Sequence, residues 1–317
     1  MELRELGATG IRLSAIGFGT WAIGGETGGG MAYGATDDEE SLGALLEAHR
    51  QGCTFFDTSP LYGWGHAEEL LGEAFSPCRD SVVIATKAGY THVDGRQEFT
   101  PQAIRRSLEN SLDRLRTDYV DLLQLHNPPP EQLEANHALF RCLDDLQGEG
   151  LIRAAGISAR TPDEALVFAR HYMPAFLQVN FNLGDLRAVR NGLFALCQQS
   201  RIGLIARTPL AAGFLTGRID PAATFSPTDH RQRFSADVRR RWVEAVKQLE
   251  PVFSDAPTAT PAQQAIRFCL SFSSVTSVIP GMMRREEVLE DLGTVPLPRL
   301  SEHQLREVDA VYDRVFS

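Results

Sequence analysis

Eight short apolar runs recur along the chain, each set off from the next by a longer stretch, and no other feature restricts the fold so tightly. They are 15–19 (AIGFG), 54–57 (TFFD), 82–86 (VVIAT), 120–125 (VDLLQL), 153–157 (RAAGI), 176–180 (FLQVN), 202–206 (IGLIA) and 275–279 (VTSVI). Each has four to six residues and is bounded by Gly, Pro, Ser or Asn, as parallel strands buried on both faces are. The stretches between them carry helical spacing. Across 102–116, Ile104, Leu108, Leu112 and Leu115 follow one another by four, four and three residues, which puts them on one face. Thr100-Pro101 ahead of them is an N-cap followed by a proline suited to the first turn. Asp37 to Glu40 opens another helix with negative charge where the helix dipole favours it, and Thr161-Pro162-Asp163-Glu164 repeats the start signal after the fifth run. Strand and helix alternating eight times predicts an α/β chain folded as a (β/α)8 barrel, with extra helical segments toward the C-terminus.

The 317 residues suit one barrel domain spanning 1–317, since such barrels run to ~250 residues plus insertions. No internal repeat or linker interrupts them. Residues 2–14, with Gly7-Ala8-Thr9-Gly10 in the middle, are expected to form a β-hairpin ahead of the first barrel strand. The stretch 208–235 is too long for a plain connection and reads as a functional loop. The glycine-rich run 24–30 reads as a flexible loop; it fits neither a Walker A loop nor a Rossmann fingerprint.

Net charge is −10, which argues against binding nucleic acid through phosphate neutralisation. No apolar run approaches the ~18 residues of a membrane span, and MELRELGATG does not read as a signal peptide. The five cysteines are scattered and free of any CxxC pair, so reduced thiols in a cytoplasmic protein are expected, with no metal site. The one basic island, His230, Arg231, Arg233, Arg239, Arg240 and Arg241, reads first as a solvated loop and helix start, and second as a place where an anionic ligand reaches the chain.

Catalytic groups of such barrels sit at the C-terminal ends of different strands. Those ends carry Asp57, Lys87, His126, Ser158, Gln178 and Arg207, with Tyr62 five residues beyond Asp57. Singly, Asp57 reads as well as a cap, Lys87 as a solvent-facing strand end, His126 as a turn histidine and Tyr62 as loop packing. Four such groups at one rim are better explained together. Hydride reduction of a carbonyl needs a proton donor for the developing alkoxide, and a Tyr hydroxyl can serve. A neighbouring lysine ammonium is expected to lower the Tyr62 pKa from its ordinary ~10. Asp57 would hold Lys87 charged, and a neutral His126 would position the carbonyl oxygen.

Several motifs then match a family. FDTSPLYGWGHAEELLG at 56–72, ATKAG around Lys87, the SLxRLxTDYVDLLQLH pattern ending at His126, GFGTW at 17–21 and VIPG at 278–281 resemble the aldo-keto reductases. The resemblance implies that family's barrel, NAD(P)-dependent hydride transfer between a cofactor and a small carbonyl or alcohol substrate, and a tetrad of Asp57, Tyr62, Lys87 and His126. It also implies a cofactor laid across the barrel mouth, NADP first and NAD second. Gly19, Thr20 and Trp21 would lie under it, Ser158 and Gln178 at its carboxamide, and Arg207, Thr208, Pro209, Leu210, Gly213 and Arg218 along its pyrophosphate. Gly281, Met283, Arg284, Glu287 and Asp291 would grip its adenosine end, with Arg284 either reaching a 2′-phosphate or solvated. Ala159, Arg207, Glu287 and Asp291 depart from the residues usual at their positions. Trp21, Tyr33 and Trp64 are candidates for a substrate wall. Three other roles stay open: a cofactor-binding regulatory subunit of the same family, a redox-neutral enzyme of that family, and a Schiff-base lyase using Lys87.

Overall fold

The computed structural model describes residues 1–26, 32–92, 94–134, 136–220 and 222–316, so most of the glycine-rich run 24–30 lies outside the described residues. The chain begins with the expected hairpin, β1 (Leu3–Glu5) antiparallel to β2 (Arg12–Ser14). Its turn needs Gly7: φ there is +57°, and an added Cβ would stand 2.5 Å from both the Arg201 carbonyl oxygen and the Gly203 nitrogen. The hairpin is therefore pressed against the start of a barrel strand.

Eight strands follow, β3 (Phe18–Gly19), β4 (Phe55–Asp57), β5 (Val83–Ala88), β6 (Val120–His126), β7 (Ile152–Ser158), β8 (Phe176–Asn180), β9 (Gly203–Arg207) and β10 (Ser277–Ile279). They pair in sequence order, all parallel. Gly17 N donates to the Val278 carbonyl at 2.9 Å and Gly19 N to that of Pro280 at 2.8 Å, bringing the first strand against the last. Each of the eight apolar runs of the sequence overlaps one of these strands, as the alternation predicts.

Helices α1 (Asp38–Arg50), α2 (His66–Phe75), α3 (Pro101–Leu115), α4 (Pro130–Leu133), α5 (His137–Gly148), α6 (Pro162–His171), α7 (Arg187–Arg190), α8 (Leu193–Ser200), α9 (Ala236–Leu249), α10 (Pro261–Leu270), α11 (Arg285–Leu292) and α12 (Glu302–Phe316) surround the sheet. The helix starts are where the sequence puts them: Asp37, Thr100 and Thr161 each accept from a backbone N–H three residues on. Ile104, Leu108, Leu112 and Leu115 are buried, packed with strand residues such as Ile84, Leu123 and Leu125. The extra C-terminal helices are present, and Arg190 of α7 ties α12 down through Asp309 and Asp313.

Strand alternation decides what faces the barrel axis. One apolar cluster holds Phe55, Ala85, Leu122, Ala154, Phe176, Ile205 and Ile279 together with Leu6, Ile11 and Leu13 of the hairpin. The hairpin thus plugs the N-terminal end. Two residues further along those strands come Asp57, Lys87, Gln124, Gly156, Gln178, Arg207 and Gly281. The same inward face passes from an apolar floor to a polar layer within one strand repeat.

Candidate active site

The polar layer is organised around Asp57, only 1% exposed. One carboxylate oxygen accepts from Lys87 Nζ at 2.5 Å; the other accepts from Gln124 Nε2 at 2.8 Å and Gln178 Nε2 at 2.6 Å. Lys87 Nζ also donates to the Thr58 carbonyl at 2.8 Å and to the Tyr62 hydroxyl at 3.0 Å. An ammonium has three donors, and all three are engaged. Burial pulls the Lys87 pKa down, but Asp57 and then Tyr62 outweigh it and leave it above the ordinary lysine value.

Tyr62 departs from the sequence expectation. Burial pushes its pKa up, and the opposing pull of Lys87 does not overcome it, so the phenol stays protonated beyond the ordinary tyrosine range. The sequence reading weighed the neighbouring charge and not the loss of water. For His126 the expectation of neutrality agrees with the structure: burial, then Lys87 and Arg207, hold its pKa well below the usual histidine value. Its Nδ1 meets Ser59 Oγ at 3.2 Å, and its ring stands edge-on to Tyr90 with centroids 4.8 Å apart.

A cavity of about 430 Å³ opens above this layer. Asp57, Tyr62 and His126 line it, while Lys87, 1% exposed, lies beneath. Ser158, Gln178 and Arg207 continue the wall, followed by Thr208, Pro209, Leu210, Gly213 and Arg218. Gly281, Met283, Glu287 and Asp291 form the far end, and Gly19, Trp21 and Tyr33 complete the side next to Tyr62. Gly19 keeps that side flat, since an added Cβ would stand 3.1 Å from the carbonyl oxygens of Ile279 and Pro280.

Three of the singled-out residues stand off the wall. Thr20 is buried and donates to the Asp57 carbonyl at 3.1 Å, so it supports the site from behind. The Arg284 side chain is 61% exposed and lies 3.4 Å from Glu40, at the outer surface. Trp64 is 40% exposed, with its backbone in the left-handed region at φ 53°. The basic island, read first as solvated, divides. His230, Arg231 and Arg233 line the cavity, whereas Arg240 pairs with Asp237 and Arg239 donates to the Ala223 carbonyl.

Sequence reasoning missed Gln124, Ser59, Tyr90 and Asn127. The signal for Gln124 was present: it sits two residues before His126 on a strand whose alternate residues face inward. Tyr90 and Asn127 come from loops, where no period applies.

The wall fits an elongated polar ligand. Arg207 Nε, Asn127 Oδ1 and His230 Nδ1 are buried along it without a hydrogen-bond partner among the described residues, and buried polar atoms are ordinarily paired. At the far end Asp291 is surrounded by its own charge type. Burial, then Glu290 and Glu287, raise its pKa well above the usual carboxylate value, with Arg218 opposing. Among the described residues no cluster of His, Cys, Asp and Glu is placed to hold a metal ion, and no helix is long and apolar enough to cross a membrane.

A family model described as Aldo/keto reductase family matches residues 15–313. The chain belongs to that family. It is 29% identical to the aldo-keto reductase YhdN of Bacillus subtilis, over 100% of this chain and 95% of the relative. It is 30% identical to an NADH-specific methylglyoxal reductase of Escherichia coli, over 93% of this chain and 94% of the relative. The solved structure of a glycerol dehydrogenase of Gluconobacter oxydans superposes with a TM-score of 0.82 at 26% identity, covering 99% of this chain and 96% of that one. As an aldo-keto reductase, the chain is an NAD(P)-dependent oxidoreductase of carbonyl or sugar substrates.

Proposed function

We propose that this chain reduces small aldehydes or ketones within its single barrel, with Tyr62 as proton donor and NADH preferred to NADPH. The observation that carries the reading is the Lys87 ammonium, bonded at once to Asp57 and to the Tyr62 hydroxyl on the cavity wall. When bound, the cofactor supplies the hydride. Tyr62 gives its phenolic proton to the oxygen that becomes an alkoxide, and Lys87 stabilises the phenolate left behind. Asp57, held by two amide side chains, keeps Lys87 charged for that purpose. Neutral His126 donates a hydrogen bond that orients the carbonyl oxygen.

Ser158 and Gln178 are the residues to hold the carboxamide end of the cofactor. Thr208 to Leu210, Gly213 and Arg218 serve the pyrophosphate, and Met283, Glu287 and Asp291 the adenosine end. Preference for NADH follows from charge at that last place. Met283, Glu287, Glu290 and Asp291 line it, and its one lining cation among the described residues, Arg218, already pairs with Glu290 at 2.6 Å. A 2′-phosphate brings up to two negative charges toward carboxylates, whereas a ribose hydroxyl can donate to them.

Fluorescence titration tests this, after removal of any cofactor carried through purification. NADH is expected to bind at least about tenfold more tightly than NADPH, equivalent to ~1.4 kcal/mol. Arg284→Ala is expected to leave both affinities within about twofold, because Arg284 stands off the wall. A selective loss of NADPH binding in that variant would return Arg284 to the phosphate, and absence of binding by either cofactor would remove the reading altogether.

A further inference from the structure

The end of the cavity beside Tyr62 is electropositive in a chain whose net charge is −10. The segment 229–234 is fastened there by His230 N, which donates to the Ala32 carbonyl at 2.9 Å. The Trp21 ring bridges it to the reaction centre, edge-on to Tyr62 at 5.0 Å and to His230 at 5.4 Å between centroids. Among the described residues nearby, Asp57 is taken by Lys87, Asp229 by Arg231 at 2.6 Å and Asp185 by Arg187 at 2.7 Å, while Glu26 accepts from Thr228 Oγ1 at 3.0 Å.

Two guanidinium groups on the wall have no carboxylate partner among the described residues. Arg207 spends one nitrogen on the carbonyls of Ala159 and Arg160, and its buried Nε has no partner. Arg233 lies over the Phe234 ring at 4.9 Å and is open to the cavity mouth. His230 Nδ1 beside them is also buried and unpartnered. A planar guanidinium left unpaired at a cavity mouth is matched by a carboxylate or phosphate, and clefts of one charge sign concentrate ligands of the other.

We propose that the carbonyl substrate carries an anionic group, a carboxylate or a phosphate, seated on Arg233 and His230 with Arg207 closing the approach to Tyr62. This rests on the reductase reading above and names its substrate class. It makes the loop after β9 a specificity element.

The experiment uses two matched pairs with NADH: 4-carboxybenzaldehyde against benzaldehyde, and glyceraldehyde 3-phosphate against glyceraldehyde. The charged member of one pair is expected to have a kcat/KM roughly ten to a hundred times that of its neutral partner, the range a charge-assisted hydrogen bond supplies. The pair that shows it tells carboxylate from phosphate. Arg233→Ala is expected to collapse that ratio to near one without weakening NADH binding. Preference for the neutral member in both pairs would overturn the proposal, as would an equal loss for both members in Arg233→Ala. A raised NADH Kd in that variant would put the guanidinium on the cofactor instead and would also overturn it. If no aldehyde turns over, the reductase reading fails separately. Calorimetry with benzoate, benzamide and inorganic phosphate then decides the anion site alone. Binding of an anion but not benzamide, lost in Arg233→Ala, supports it, and no anion binding overturns it.

Discussion

Replacing Tyr62 by Phe is expected to lower kcat for carbonyl reduction by about 10²–10⁴-fold, the usual worth of a positioned general acid, while NADH affinity stays within about twofold. The substitution removes one oxygen and little else. That oxygen accepts from Lys87 Nζ at 3.0 Å, and no other hydrogen bond to the Tyr62 side chain occurs among the described residues. The ring keeps its edge-on contacts with Trp21 and His126, so the wall retains its shape. Lys87 keeps Asp57 and the Thr58 carbonyl and loses one acceptor, which water in the cavity can replace. The pH profile separates a proton donor from a packing residue. Burial holds the phenol protonated, so reduction should persist through neutral pH and fall only beyond the ordinary tyrosine value of ~10. In the Phe variant the residual rate should lack that alkaline limb. Wild-type turnover in Tyr62→Phe would remove Tyr62 from the chemistry.

The barrel was legible because its strands are buried on both faces and short, so each appears as an unbroken apolar run between turn residues. The boundary cases show where that signal weakens. The run 15–19 contributes only Phe18–Gly19 as a regular strand, because on its other side Ile16 and Gly19 meet Val278 and Gly281 through isolated bridges. That Asp57, Lys87 and His126 converge at one rim was legible for a related reason: a polar residue ending an apolar run has one place to go in a closed barrel. Gln124 obeys the same rule but lies inside its run, where it was read as part of the strand. The basic island was misjudged at His230, Arg231 and Arg233, which line the cavity, because charge runs are usually solvated, as Arg240 and Arg241 are. Its fate depends on the bridge between Ala32 and Asp229, a pairing across 197 residues that no local pattern encodes. Tyr62 shows the remaining gap. Its neighbour Lys87 can be inferred from strand order, whereas the depth of its burial requires the packed loops around it.

Asp57→Asn is expected to cost roughly 3–5 kcal/mol of stability, because it leaves the Lys87 ammonium buried without its counter-charge. For a chain of 317 residues that corresponds to a Tm lower by about 5–8 °C. The asparagine adds a second conflict. Three donors converge on the two Asp57 oxygens, from Lys87, Gln124 and Gln178, and an amide offers one oxygen with an NH2 group facing the rest. The pH dependence follows from the Lys87 shift. Its pKa is raised in the folded chain, so the pair's stabilisation is fully present below the unfolded lysine value of ~10.4 and is lost as pH rises through the higher folded value. Without Asp57, burial is opposed only by Tyr62 and the Thr58 carbonyl, and the balance moves toward the neutral amine. The stability gap between wild type and variant should then narrow as pH approaches 10. A double variant, Asp57→Asn with Lys87→Met, should recover much of the lost stability, because an apolar stem replaces the stranded charge. It should recover no activity, since nothing remains to stabilise a Tyr62 phenolate. The same geometry speaks against a Schiff-base lyase, whose lysine must be neutral to attack a carbonyl. Lys87 is held as an ammonium by three acceptors, and borohydride should trap no substrate adduct on the wild-type chain. Equal melting temperatures for wild type and Asp57→Asn at neutral pH would mean that Lys87 is not charged in the folded protein, and the proton path through Tyr62 would need another support.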